Sequence, residues 1–271
     1  MSEAVTSRQD WSGGPRVAVL ALGLALLALG GVLLIAGPAL FRLGLVDLAG
    51  ARSGVQQGAM WAMLGAVGAG LIGLLLALIG KKHRAGIVAV AIMIPAGMGA
   101  GSLYNSNVSQ SALPPINDAQ TDWTRPVAFT EATLRERAKV GAIRVRDDAI
   151  VPEGNGKWSG KLYSQAQAEF YIDLAPLIVK QPVAAATAQA AKSAERLGWQ
   201  VTVNDPRGGV VEAVYHSPWF DLAYDIAIRV AREGEGSRID VRSTSRLPGH
   251  DMGENATQVK QIIDEMALQL R

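Results

Sequence analysis

The stretch RSTSRLPGHDMGEN, residues 242 to 255, places two arginines four residues apart and then breaks into a glycine-punctuated turn. Its first half continues an alternation begun by Ile239 and Val241, so Arg242, Thr244 and Arg246 share one face of a strand and Ser243 and Ser245 the other. Pro248, Gly249 and Gly253 then force the chain out of the strand, and Asn255 stands where a helix N-cap is expected, with Asp251 capping the turn into it.

Reading backwards from this strand, the same period of two recurs three times. Tyr224, Ile226, Ile228 and Val230 alternate, as do Val211, Ala213 and Tyr215, and before them Trp199, Val201 and Val203. The connections Asp205-Pro-Arg-Gly-Gly209, Ser217-Pro218 and Glu233-Gly-Glu-Gly236 are short enough for antiparallel neighbours. An Ala-rich helix from Pro182 to about Leu197, stopped by Gly198, precedes the strands. A final helix from about Asn255 to Leu270 shows Val259, Ile262, Ile263, Met266 and Leu270 on one side. The fold class this predicts is a two-layer α+β domain: helix, four-stranded antiparallel meander, helix, with both helices on the apolar face.

The opposite sheet face carries Glu212, His216, Asp225, Arg229, Arg238, Asp240, Arg242, Thr244 and Arg246. One reading is a solvated ladder of exposed ion pairs, each contributing about 0.2–1 kcal/mol. The other is a polar groove under the Asp118 to Phe129 segment, where Arg242 and Arg246 offer forked donors to a carboxylate or phosphate. Glu131 to Lys139 reads as a short helix and Tyr163 to Phe170 as moderately helical, neither with evident chemistry.

The first hundred residues follow different rules. Val17 to Ala36, Ala59 to Gly80 and Ala85 to about Tyr104 are apolar and free of ionisable side chains, each about the 20 residues a helix needs to cross hydrocarbon. A membrane domain over residues 1 to 104 is therefore expected, with helices at about 17–36, 59–80 and 85–104. A signal peptide is the competing reading of the first run, since Arg8 and Arg16 precede it, but the run is long for one. Lys81, Lys82, His83 and Arg84 crowd the second loop, and short basic loops stay in the cytoplasm. That predicts a bacterial inner-membrane protein with a cytoplasmic amino terminus and a periplasmic carboxy-terminal domain. Residues 105 to 114, rich in Ser, Asn and Pro, read as a linker, and 115 to 271 as the extracytoplasmic domain.

Charge and composition narrow the function classes. Residues 105 to 271 hold 19 Lys and Arg against 21 Asp and Glu, so this part lacks the basic footprint of a nucleic-acid binder. With 0 Cys the chain has neither disulfides nor thiolate chemistry. The spans hold no Asp, Glu, Lys or Arg, which argues against transport by the bundle. No G-x-S-x-G surrounds Ser243 or Ser245, and His250, Asp251 and Glu254 are a weak metal set; no metal, cofactor or catalytic residue is assigned.

NDAQTDWTRPVAF (117 to 129), YIDLAPL (171 to 177), LGW (197 to 199), RIDVRSTSR (238 to 246) and DMGEN (251 to 255) resemble, in order, the domain-of-unknown-function 1499 family. The resemblance carries that family's recurring polar residues onto Asp118, Thr121, Asp122, Arg242, Ser243, Ser245, Arg246, Asp251, Gly253 and Asn255. Pro248, Gly249 and His250 depart from its usual Gly, basic and small polar residues. The resemblance implies kinship, and a fusion to hydrophobic helices, without an activity.

Three function classes follow. The first is a membrane-anchored binding or scaffolding protein whose polar face contacts an envelope protein or a lipid through Asp118, Thr121, Asp122, Arg242, Arg246, Asp251 and Asn255. The second is a lipid-binding or sensing domain held close to the bilayer. The third is an envelope hydrolase using Asp carboxylates.

Overall fold

The structure, a computed structural model, describes residues 14–270. Arg8, on which the signal-peptide alternative leans, lies outside them. The chain divides near Val108 into two compact units.

The first unit is built on α1 (Pro15–Arg42), α2 (Val55–Ile79) and α3 (His83–Ala112), with a π-helical turn at Gly50–Gly54 leading into α2. All three are long and apolar enough to cross a membrane. Small residues let them close on one another: a Cβ added at Gly30 would lie 2.8 Å from Met63 of α2, and one at Gly73 would lie 2.5 Å from Leu20 of α1. Ala66, Ala89, Ile92 and Ala96 form the buried centre with Leu20. Helix α3 runs through residues 105 to 112, which their composition marked as linker. Ser and Asn weaken a helix without breaking it, and Pro114 and Pro115 are the first residues beyond it that withhold the backbone donor.

In the second unit the four expected strands are β3 (Gln200–Asp205), β4 (Val210–His216), β5 (Ala223–Glu233) and β6 (Gly236–Ser245), joined as an antiparallel meander. Helices α6 (Val183–Arg196) and α7 (Glu254–Gln269) bury Ala186, Ala190, Ala194, Val259, Ile262 and Met266 against Val211, Ile226, Ile228, Ile239 and Val241. Each large side chain so buried is worth about 1.5–3 kcal/mol.

The expected unit of helix, four strands and helix is too small. The sheet has six strands, because β1 (Asp118–Gln120) and β2 (Leu177–Val179) both pair with the outer edge of β6. Each is three residues long, too short for alternation to register. Gly236 admits β2: a Cβ there would lie 1.9 Å from the Val179 carbonyl oxygen. Helices α4 (Glu131–Lys139) and α5 (Tyr163–Phe170) are also present, and α4 lies over the polar face.

Two further expectations are corrected. Val203 was grouped with Trp199 and Val201, but a bulge at Thr202 shifts the register, so Val201 pairs with Ala213 and Val203 with Glu212. The extra residue sends Val203 to the polar face, where it lines a cleft beside α4. Helix α7 starts at Glu254 after Gly253 in the left-handed region, so Asn255 lies inside its first turn and is not the N-cap.

Candidate functional site

Strand β1 sets the geometry of the polar face. Asp118 pairs with Thr244 and Gln120 with Arg242, so the segment from 118 onward starts beside β6 and then crosses the sheet. Its free edge is closed by the Gln167 side chain of α5, which accepts from the Gln120 backbone N–H at 3.1 Å and donates to its carbonyl at 2.6 Å. Beneath this cover Glu212, Asp225, Asp240 and Arg242 are all buried. The face is thus a covered ion-pair layer and not a solvated ladder.

Arg242, 1% exposed, has no donor to spare. Its Nε and Nη2 reach Asp118 at 2.7–3.1 Å, Nη1 reaches Asp147 at 2.6 Å and the Val127 carbonyl at 3.2 Å, and Nη2 also reaches the Arg146 carbonyl at 3.3 Å. Five N–H groups are therefore matched by protein acceptors. Trp123 covers the guanidinium at 5.8 Å. Burial lifts the Asp118 carboxyl from 3.8 to about 6, with Arg242 pulling in the opposite direction.

Next along β6, Asp240 accepts from Arg238 Nη2 at 2.9 Å, from Arg229 Nη2 at 3.1 Å and from the Thr121 hydroxyl at 3.4 Å. Asp122 accepts from Arg238 at 2.6 Å and from the Thr124 hydroxyl at 2.6 Å. The Thr124 hydroxyl bond is the main cause of its depression to about 2, which Arg125 and Arg238 reinforce.

On the other side of Arg242, Asp225 is shared by two guanidiniums. Arg246 reaches it through Nε at 2.9 Å and Nη2 at 2.7 Å, while Arg137 of α4 donates to it through Nη1. Arg137, 3% exposed, also donates to the carbonyls of Ile143 and Ser245 at 2.9 and 3.0 Å. At the other end of α4, Glu212 accepts from the Thr130 backbone N–H, its hydroxyl and the Thr133 hydroxyl, capping the helix from the sheet.

Arg246 differs from Arg242 in one respect. Its side chain is 21% exposed, and its Nη1 has no hydrogen-bond partner among the described residues. It lines an open cleft of about 420 Å³ between α4 and the sheet, together with Asp225, His216, Gln200, Thr202 and Lys139.

Asp251 and Asn255 lie elsewhere. Asp251 accepts from the backbone N–H groups of Gly253 and Asn255 at 2.8 and 2.9 Å and from the Asn255 side chain at 2.7 Å. The Asn255 amide also meets the hydroxyls of Ser243 and Ser245, both at 2.9 Å, on the helix side of β6. Burial raises the Asp251 carboxyl to about 6 against those bonds. The seven candidate residues thus form two groups: Asp118, Thr121, Asp122, Arg242 and Arg246 on the polar face, Asp251 and Asn255 behind it. Arg137, Asp147 and Gln167 escape the sequence reading, whereas Glu212 falls on the expected polar face. Thr130, Thr133 and Arg137 recur at helical spacing, but a polar helix face on a polar sheet face leaves no apolar period to read.

Among the described residues no group of three or more His, Asp or Glu is placed to hold a metal. What the polar face offers instead is the partly open guanidinium of Arg246 on the wall of a cleft. The molecule is a multi-pass membrane protein carrying a mixed α+β domain with a covered ion-pair layer. Residues 118–266, more than half the chain, match the family described as "Protein of unknown function (DUF1499)", and the chain belongs to that family. No curated protein matches it.

Proposed function

We propose that the protein is a membrane-anchored binding module whose carboxy-terminal domain stands on the periplasmic side of a bacterial inner membrane. It takes an anionic group, a carboxylate or phosphate of an envelope component, into the cleft beside α4. The observation that carries this reading is the unpaired Nη1 of Arg246 on the cleft wall. Charge supports it: the lining carries Arg135, Lys139 and Arg246 against Glu136 and Asp225, and buried Arg137 adds a further positive charge behind Asp225. Arg242, the other candidate anion receptor, is saturated and holds the covering segment in place. The orientation rests on the basic loop Lys81 to Arg84.

Native mass spectrometry of the full-length protein, extracted gently from its own membrane, tests this. Wild type should carry a small anionic mass that Arg246→Gln loses. His216→Ala, an exposed change that leaves Asp225 paired, should weaken retention without shifting the unfolding midpoint. A bare protein, or a mass retained equally by both variants, would refute the reading.

The bilayer-proximal alternative has one observation in its favour. Trp219 is 64% exposed in the β4–β5 loop. That loop lies at the same end of the sheet as Asn117, since Ser245 N–H bonds Asn117 O and Arg246 N–H bonds Ala223 O. Exposed Trp is enriched where proteins meet lipid headgroups. Ten Gly and Ser residues inserted after Leu113 would abolish function on this reading and leave the cleft reading intact.

The hydrolase alternative gains no support from its carboxylates. Asp118, Asp122, Asp225 and Asp251 are each held by the arginine, hydroxyl or backbone partners given above.

A further inference from the structure

The turn between α2 and α3 concentrates charge in an unusual way. Lys81, Lys82, His83 and Arg84 follow one another, all exposed, and none makes an ion pair or hydrogen bond through its side chain to another described residue. Arg16 of α1 comes to the same end, its Nη1 lying 3.6 Å from where a Cβ on Gly80 would be. Among described residues 14 to 112 the single carboxylate is Asp47. It belongs to the α1–α2 loop at the opposite end, where it accepts from the Gly50 N–H at 2.7 Å.

Below these cations a groove of about 610 Å³ opens between α2 and α3. That volume falls in the roughly 300–1,000 Å³ range of small-ligand sites. Its lining changes character along its length. Lys81, Lys82 and His83 stand at the mouth, and Leu74, Leu78, Ile87 and Val90 line the part that runs back along the two helices. Cations at one end and hydrocarbon along the rest match a molecule with an anionic head and an acyl tail.

We propose that this groove is a binding site for a phospholipid with a net negative headgroup. Its phosphate lies against Lys81 and Lys82, and one acyl chain lies along Leu74, Leu78, Ile87 and Val90. The tight turn presents the two ammoniums: Lys81 adopts φ 50° and the Lys82 N–H closes onto the Ala77 carbonyl at 2.8 Å. A basic loop acting only to orient the chain needs charge on one side of the membrane. It needs no groove beneath it. This site is independent of the Arg246 cleft.

The test adds phosphatidylglycerol or phosphatidylcholine to delipidated full-length protein in detergent and reads retained lipid by native mass spectrometry. At about 1 kcal/mol per basic residue, Lys81→Gln with Lys82→Gln should weaken phosphatidylglycerol retention about thirty-fold relative to wild type. Gly86→Leu keeps every charge but fills the groove where a Cβ at Gly86 would already lie 3.6 Å from Leu74, and should also release the lipid. Arg42→Gln with Arg52→Gln, at the other end of the bundle, should retain it. Equal retention of the two lipids by wild type would overturn the proposal, as would equal loss in the Arg42 and Arg52 variant. Soluble glycerol phosphate binding as tightly as phosphatidylglycerol would also overturn it, because the groove would then be a free-phosphate site.

Discussion

Arg242 grips Asp118 through three hydrogen bonds of 2.7–3.1 Å across the β1–β6 pairing, 124 residues apart in sequence, with almost no solvent access. The pair fastens the segment that covers the polar face. Arg242→Met leaves the buried Asp118 carboxylate without its counter-charge and should cost about 3–5 kcal/mol, whereas Asp118→Leu leaves Arg242 its ion pair with Asp147 at 2.6 Å and should cost less. The double variant should recover part of that loss. Thermal unfolding of the full-length protein in detergent checks it, and additive losses would contradict the coupling.

Arg137 and Arg246 share Asp225 but differ in exposure, 3% against 21%. Arg137→Gln should therefore be the more destabilising change, since it also strands the carbonyls of Ile143 and Ser245. Arg246→Gln should leave the fold largely intact and remove the anion. The two unfolding midpoints, compared side by side, decide this.

Asp251 makes stability depend on pH in a direction opposite to the usual carboxylate. Its folded pKa is raised from 3.8 to about 6, so the native state holds a proton that the unfolded chain has released. Its contribution is complete below 3.8 and is lost as pH rises through about 6, amounting to about 3 kcal/mol at 1.36 kcal/mol per unit. Asp118 acts in the same direction. Asp122, depressed to about 2, acts oppositely: its contribution is present above 3.8 and lost as pH falls through about 2. Asp251→Asn should flatten the fall in unfolding midpoint between pH 4 and 6.5 relative to wild type.

Orientation is open to direct labelling, because the chain has 0 Cys. Single cysteines at Glu235, exposed in the β5–β6 turn, and at His83, exposed in the basic loop, give the two sides. An impermeant maleimide applied to intact cells with a permeabilised outer membrane should reach Glu235→Cys and not His83→Cys. The reverse pattern would invert the topology.

Much of the fold is legible in the sequence where burial is apolar. The Ile and Val alternation of β5 and β6 and the Ala and Ile faces of α6 and α7 mark the sheet, its inner side and both covering helices. The spans are legible because hydrocarbon tolerates no charge. What escapes is burial of polar groups. Arg137 sits in sequence like a surface residue; a cover by the 118 to 129 segment is one of two readings of the polar face that holds Glu212, and α4 as part of that cover is not legible at all. Strands β1 and β2 are too short for a period, and the bulge at Thr202 hides in an unbroken Val-x-Val pattern. The two motifs of the resemblance do meet in space, yet their residues divide between the two faces of β6, a split that spacing along the chain cannot reveal.

The central claim is that Arg246, and not Arg242, is the anion receptor of the polar face. Side-chain Nε–Hε resonances of the full-length protein in detergent, assigned through Arg242→Lys and Arg246→Lys, report on both guanidiniums at once during titration with inorganic phosphate. The account predicts a saturable shift at Arg246 with Arg242 unmoved. A shift at Arg242, or no response at Arg246, would contradict it.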